Sequence, residues 1–476
     1  MSNQIYDLVA IGGGTAALVA TMGVAGVGGR AALIEEAKPG GDCLWTGCVP
    51  SKALLAAAGL ANDMRSAASV GLTPVDPVID FASVMAHVKG AQATIEPHDS
   101  PERLTNAGVT VLSGRGEFIE PGNIKVGDKI IQYRNALIAT GSRPIVPPIP
   151  GLSQANPLTS HNVWDLTELP NRLAILGGGP IGCELGQAFA RLGSKVTIVE
   201  AASSLLPRED QAIGRFLAET LESEGVTVRV GVRAEAVTFD GQDGLLQLAD
   251  GEAVPFDRIL IAVGRRPNTA DLGLEHVGVQ VDDAGSVIVD DTMRTTGDNI
   301  FAAGDVTGKM PFTPVAAHQA RAVVTNSLFK LRRKASYDNI PWVTFTSPEI
   351  ARVGLDASAA RDKWGKKAIV ERFDYANLDR AITHGRTSGW AELVGDKKRR
   401  IVGATIVGEA AGESIAEIVA FMTAGAKIDA LSTTVHAYPT FTEGPSRAAD
   451  NVLRAVHFSQ TAQRASRIAL AIFRRF

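Results

Sequence analysis

The chain opens on a largely apolar run, Ile5 to Ile11, which breaks at three glycines, resumes as a longer apolar stretch to about Gly26, and closes on AALIEE. Short apolar runs bounded by glycine read as strands buried on both faces, and the longer run between them reads as a helix. The segment IYDLVAIGGGTAALVATMGVAGVGGRAALIEE therefore predicts a strand, a glycine turn, a helix and a second strand ending in acid. The same pattern returns at NRLAILGGGPIGCELGQAFARLGSKVTIVE, roughly one domain's length further on. Two βαβ units of the dinucleotide-binding kind are implied.

Between them, NALIATGSRPIVPPIPGL carries a cluster of prolines that marks a linker, with a boundary near residue 148. The second unit closes at RILIAVGRRPNTADL, and NIFAAGDVTGK then predicts a strand running into Gly304 and Asp305, a return to the first domain. From Pro341 onward short alternating strands (WVTFTSPEIARVGL, GWAELVG, RIVGATIVG) interleave with alanine-rich helices. The predicted fold class is α/β, with two Rossmann-like domains at 1–148 with 272–340 and at 149–271, followed by a C-terminal α+β domain at 341–476. The tail, AVHFSQTAQRASRIALAIFRRF, fits a basic amphipathic helix, either on a membrane surface or packed on the protein body, and the reading favours the body.

Composition narrows the class of function. At 476 residues the chain is too long for a single core. A net charge of -4 gives no broad basic face for nucleic acid. The N-terminus lacks a secretory pattern and no apolar run of about 18 residues stands out, so a cytoplasmic protein is predicted. Three cysteines exclude a disulfide scaffold, and two of them, Cys43 and Cys48, fall close together. Cys183 reads as a small core residue.

In the first unit Gly12, Gly14 and Ala17 occupy G-x-G-x-x-G/A positions, suited to a tight turn and close approach to a pyrophosphate at a helix N-terminus. Glu35, ending the next strand, can accept hydrogen bonds from a ribose. The second unit supplies Gly177, Gly179 and Gly182, with Glu200 closing its strand. An acid there repels a 2′-phosphate, and the following AASSLLP offers no cation, so NADH is preferred to NADPH. In GGDCLWTGCVPSKALL, Cys43 and Cys48 sit just before an alanine-rich helix whose N-terminal dipole would stabilise a thiolate, and Lys52 follows one turn after Cys48 on the same face. A zinc site would need further ligands of the same kind, and only Cys183 remains, so no metal site is predicted.

The motifs G-G-D-C-x4-C-V-P-S-K, A-T-G-S-x-P, the second G-x-G-x-x-G, A-V-G-R-x-P-N, A-A-G-D and F-T-x-P-E-x-A-x-V-G stand in the order seen in flavoprotein disulfide reductases. The chain resembles that family, which includes glutathione reductase, dihydrolipoamide dehydrogenase and mercuric reductase, over essentially its whole length. The resemblance implies an FAD domain, an NAD(P) domain and a dimerisation domain. It implies that Gly12, Gly14, Glu35 and Asp305 bind FAD, with Gly41, Asp42, Lys52, Thr140, Gly141, Gly264 and Gly304 at the motif positions that serve the cofactors. Cys48 would be the flavin-facing thiol, Cys43 the interchange thiol, and Lys52 would pair with Glu184 beside the flavin N5.

The resemblance also implies a homodimer, because a His-Pro-Thr-x-x-Glu run in the last domain serves the partner's thiols. Here the run reads VHAYPTFTE, with Tyr438 where the histidine is expected and Glu443 at the glutamate position. A phenol titrates near about 10 and an imidazole near about 6.5, so Tyr438 is no neutral-pH base. His436 is a candidate substitute if an extended segment sets it on the same face as Tyr438, roughly 6–7 Å away. Tyrosine at this place is similar to the mercuric reductase branch, although no cysteine follows Cys183 to pass a metal ion inward. The implied activity is NAD(P)H to FAD to dithiol electron transfer, ending on a soft metal ion, a small disulfide, or a quinone reduced by the flavin directly. A flavin-bound component of a larger complex, without its own small substrate, is the reading from a different class.

Overall fold

The computed structural model describes residues 5–474, which divide into two compact units, 1–62 with 76–336, and 63–75 with 337–476. In the first unit Leu8–Ile11, Ala31–Glu35, Val109–Ser113, Ala136–Ile138 and Ile300–Ala302 form a five-stranded parallel sheet, with Leu8–Ile11 at its centre. The inner strands read as near-continuous Val, Ile, Leu and Ala because both faces are buried, while Val109–Ser113 at the edge is half-exposed. Helix α1 (Thr15–Gly26) starts at Gly14 and packs on the late helix Thr313–Phe329. The strand Ile300–Ala302 completes this first sheet and runs into Gly304 and Asp305.

Two short helices follow the second strand, α2 (Gly41–Trp45) and α3 (Cys48–Arg65). Taken together, Gly41–Arg65 is long and apolar enough by composition to cross a membrane, which the sequence reading did not expect. It is broken at Thr46 and Gly47, and Leu44, Leu54, Ala58 and Ala61 are buried within the protein.

The second βαβ unit repeats the design. Arg172–Leu176, Lys195–Glu200, Thr227–Val230 and Arg258–Ile261 make a parallel sheet, and α4 (Pro180–Leu192) starts at Gly179. An antiparallel meander (Ala234–Phe239, Gly244–Leu248, Ala253–Phe256) shares its core through Val237, Leu246 and Phe256. The proline-rich segment is more than a spacer: Ser142–Pro144 pairs antiparallel with Arg265–Pro267. Helix α5 (Thr313–Phe329) closes the unit.

The second unit is a five-stranded antiparallel sheet in the order Pro341–Thr344, Glu349–Gly354, Ile401–Gly408, Trp390–Gly395 and Ile369–Asp374. The last of these, IVERFD, is a half-exposed edge strand that sequence reading passed over. Helices α6 (Ala411–Thr423) and α7 (Glu443–His457) contribute Ile415, Ile418, Ala448 and Ala449 to its core. The tail forms α8 (Gln460–Phe473), a helix that buries none of its residues. The expectation that it packs on the body is thereby corrected: among the described residues none of its apolar side chains is buried against the rest of the protein.

Candidate active site

The redox pair is assembled by a helix break. Cys43 lies within α2 and Cys48 is the first residue of α3, so one thiol sits at a helix N-terminus where unpaired N–H groups and the macrodipole favour negative charge. Both cysteines are free. The pair titrates asymmetrically: a hydrogen bond from the Cys43 thiol, assisted by Thr313 and the charge of Lys52, pulls Cys48 down to about 6 against the effect of burial. Cys43 is driven well above the ordinary thiol range by the same bond and by burial. One proton is thus kept on Cys43 while Cys48 is ionised at neutral pH.

Lys52, one turn along α3, donates to Glu184 Oε2 at 2.8 Å. Glu184 is 8% exposed and Lys52 36%, so the carboxylate is the buried member. A charge pair of this kind holds an ammonium beside the thiolate without leaving a bare buried charge. Thr313, the first residue of α5, brings Oγ1 to 3.5 Å from Cys48 Sγ. Sequence reading missed it; Thr-Pro at a helix start was the available signal.

The glycines predicted to cradle phosphate stand at the two strand-to-helix turns. Gly12 has φ +104°, and a Cβ there would lie 2.3 Å from the Ala139 carbonyl oxygen; Gly177 has φ +107° and would meet the Ala262 carbonyl oxygen at 2.4 Å. At Gly14 and Gly179, the N-caps of α1 and α4, a Cβ would meet nothing within 4 Å. Neither N-cap has a side-chain cap bond, so each helix start keeps backbone N–H groups of the kind that binds a phosphate. Gly182 packs against the Gly177 carbonyl oxygen, whereas Ala17 at the corresponding first-unit position is buried. Gly41, φ +56°, comes within 2.7 Å of the Gly14 Cα if given a Cβ.

Glu35 and Glu200 are posed alike. Glu35 Oε1 accepts from Ala37 N at 2.7 Å, and Glu200 accepts from Ala202 N and Gly178 N, each at 2.7 Å. Burial raises the Glu35 pKa despite its backbone donors.

Several other predicted cofactor residues are engaged with protein. Thr140 Oγ1 donates to the Asn268 carbonyl at 2.6 Å, Gly141 accepts from Asn268 N at 3.0 Å, and Gly264 accepts from Ile145 N at 3.0 Å. The A-T-G-S-R-P and G-R-R-P-N motifs thus clasp each other. Gly304 donates to Gln319 Oε1 at 2.6 Å. Asp305 accepts from Ser142 Oγ at 2.7 Å, and burial lifts its carboxyl above the usual range. Asp42 is bonded to Arg265, Thr46 and, at 3.5 Å, His161; although burial opposes it, His161 and Arg265 hold its carboxyl low. Arg265, unnoticed in a quoted motif, therefore joins Asp42, Ser142 and Asp305. Cys183 is fully buried against the Gly178 carbonyl, and burial raises its thiol pKa.

In the second unit the three predicted residues take separate partners. His436 Nε2 lies 2.9 Å from Glu417 Oε1 and Nδ1 lies 3.0 Å from the Thr434 carbonyl, with the ring 9% exposed. Tyr438 is 68% exposed and donates to Asp379 Oδ2 at 2.9 Å, which raises its pKa further. The expectation that His436 and Tyr438 share a face is corrected: one ring is turned inward onto α6, the other outward. Glu443, first in α7, accepts from Thr440 N at 3.2 Å and from Arg447 at 3.1 Å. Among the described residues, no group of three or more His, Cys, Asp or Glu side chains could hold a metal ion.

Comparison with known proteins agrees with this geometry. Residues 6–320 match the pyridine nucleotide-disulphide oxidoreductase family model and residues 340–449 match its dimerisation domain. A mercuric reductase of Streptomyces lividans is 36% identical over 93% of this chain and 95% of its own length. A dihydrolipoyl dehydrogenase of Chlamydia muridarum is 33% identical over the same shares. The solved Cu(II) complex of the HOCl-induced flavoprotein disulfide reductase RclA from Escherichia coli superposes with a TM-score of 0.85 at 30% identity, covering 94% of this chain and 100% of that one.

Proposed function

The chain belongs to the pyridine nucleotide-disulphide oxidoreductases, FAD-dependent enzymes that use NAD(P)H, and from that premise we propose that its Cys43/Cys48 dithiol reduces a thiophilic metal ion. The chemistry that FAD supplies when bound is two-electron exchange between nicotinamide and dithiol. Gly12, Gly14, Gly41 and Glu35 would hold it, and the open space at the start of α1 fits its pyrophosphate. Gly177, Gly179, Gly182 and Glu200 would hold the nicotinamide dinucleotide, with Glu200 favouring NADH.

Cys48 supplies a thiolate at neutral pH, Cys43 keeps its proton until an acceptor arrives, and the Lys52–Glu184 pair fixes positive charge beside them. A soft cation displaces that proton and draws both sulfurs onto itself. Homodimerisation, through a domain of the type matched at 340–449, would bring the Tyr438 segment of one chain to the dithiol of the other.

The observation that carries this reading is the state of the expected acid–base corner. At the expected histidine position Tyr438 is bonded to Asp379, and Glu443 is bonded to Arg447, so that position offers a phenol rather than an imidazole to a leaving thiolate; the imidazoles near it are His436, paired with Glu417, and His384, whose ring lies 5.8 Å from that of Phe441. Disulfide reduction needs that proton; metal reduction does not. Names of relatives include both kinds of acceptor, a mercuric reductase and a Cu(II) complex of a flavoprotein disulfide reductase beside a dihydrolipoyl dehydrogenase.

The test is anaerobic titration of the holoenzyme with NADH, watching for long-wavelength thiolate-to-flavin absorbance, then turnover with Hg(II), Cu(II), small disulfides and a quinone. The band together with metal turnover supports the proposal. Turnover of disulfide in preference would replace it with a dihydrolipoyl dehydrogenase-like function. Flavin reduction without the band, and quinone turnover alone, would make Cys43 and Cys48 bystanders.

A further inference from the structure

We infer that α8, the helix Gln460–Phe473, docks this protein onto the surface of an anionic lipid bilayer. The helix is specified locally. Ser459 caps it by accepting from Ala462 N at 3.3 Å, and Gln463 Nε2 reaches back to the Phe458 carbonyl at 2.9 Å. No residue of it is buried, and Ile468, Ile472 and Phe473 are 65%, 55% and 75% exposed. At about 3.6 residues per turn, Ala465, Ile468, Ala469, Ile472 and Phe473 fall on one side. Arg464, Arg467 and Arg474 fall on the other, with Gln460, Gln463, Ala471 and the half-exposed Leu470.

Charge identifies the occupant. After Asp450 the sequence contains no Asp or Glu, while it contains Arg454, His457, Arg464, Arg467, Arg474 and Arg475. The whole chain carries -4, so this tail opposes the sign of everything before it. A stripe of apolar side chains backed by arginines, with no carboxylate along the helix, complements acyl chains on one side and anionic headgroups on the other. The helix spans about 21 Å at about 1.5 Å per residue, short of the roughly 30 Å hydrocarbon core, so it lies in the interface.

A second copy of the chain is the competing occupant, and two observations argue against it. The family's dimerisation domain ends at residue 449, before α8 begins. The match to the RclA structure takes in the whole of that chain with 94% of this one, so that fold is matched in full with part of this chain left over. The inference is independent of which acceptor the dithiol serves.

Full-length holoenzyme is sedimented with phosphatidylcholine vesicles with and without phosphatidylglycerol, at low and high salt. Binding is expected only with phosphatidylglycerol, weakening as salt rises. Truncation after Phe458 and the double change Ile468→Asp/Ile472→Asp should each abolish it. Arg464→Gln and Arg467→Gln should each lower partitioning about fivefold. Unchanged NADH oxidation would show that these variants are folded. Absence of binding, binding indifferent to truncation, or conversion of a dimer to a monomer on truncation would each overturn the inference, the last by assigning α8 to the subunit contact.

Discussion

The dithiol corner of the first unit and the Tyr438 corner of the second have the same ingredients, a redox or proton-carrying group beside a carboxylate and a cation, arranged to opposite ends. At Cys48 the cation and donors face the reacting atom: Lys52 is held by Glu184 yet still lowers the thiol, and Thr313 points at the sulfur. At Tyr438 the charges do not ready the group to move a proton: Glu443 is tied to Arg447, and Asp379 accepts from the phenol and holds its proton more tightly. A chain can therefore keep the machinery that moves electrons while giving up the machinery that moves a proton. The difference points to an acceptor that leaves no thiolate to protonate.

The most forceful way to break this comparison is Cys48→Ser. If the dithiol is the only exit for electrons, turnover with any thiophilic acceptor should fall at least about 10³-fold while NADH still reduces the flavin. Retained turnover in a steady-state assay would mean that acceptors draw on the flavin directly. Next in size is Tyr438→His. Restoring an imidazole should raise disulfide reduction by up to about 10², the lower range of general acid–base catalysis, with a new limb near neutral pH in kcat/KM. Because Glu443 is tied to Arg447, adding Arg447→Ala should be needed for the full gain; no gain in either variant would locate selectivity in the acceptor pocket instead.

A smaller effect is expected from Lys52→Met. The alkylation rate of reduced enzyme by iodoacetamide, followed against pH, should have its midpoint at about 6 in the parent chain. In the variant it should move upward by about one unit, because a positive charge that favours the thiolate is gone. The sign carries over to stability. The folded thiol titrates below the ordinary value of about 8.5, so its contribution is complete above that value and is lost as pH falls through about 6. An unmoved midpoint would leave the work to Cys43, Thr313 and the helix dipole.

How much of this was legible beforehand follows from how local each feature is. Both βαβ units, Gly12, Gly14, Gly177 and Gly179 were readable, because a glycine turn between apolar runs is a short-range pattern and its φ above +100° at Gly12 and Gly177 is a backbone demand. The Lys52–Glu184 contact came only through resemblance, since 132 residues separate the two. Thr313, Arg265, Asp379 and Glu417 were missed for the same reason. Each is ordinary in its own neighbourhood and acquires a role only when a distant segment arrives. Thr140 and Gly264 stand in conspicuous motifs, and what the motifs did not announce is that their bonds tie one to the other.

The finest distinction concerns His436, which the sequence offered as a replacement base and the structure buries against Glu417. Its ring is held at both nitrogens, so removing it leaves a half-buried carboxylate and a carbonyl without a partner. His436→Ala should then cost about 1–3 kcal/mol of stability, read as a lower urea midpoint. Turnover with a metal ion should be unchanged, and any residual disulfide turnover should keep its pH profile. The two roles predict different observables. A structural histidine moves the midpoint and spares the profile, while a working base spares the midpoint and removes the limb that titrates in kcat/KM. If the profile changes and stability does not, the second unit has kept a proton carrier after all, the contrast with the dithiol corner closes, and disulfide becomes the better acceptor.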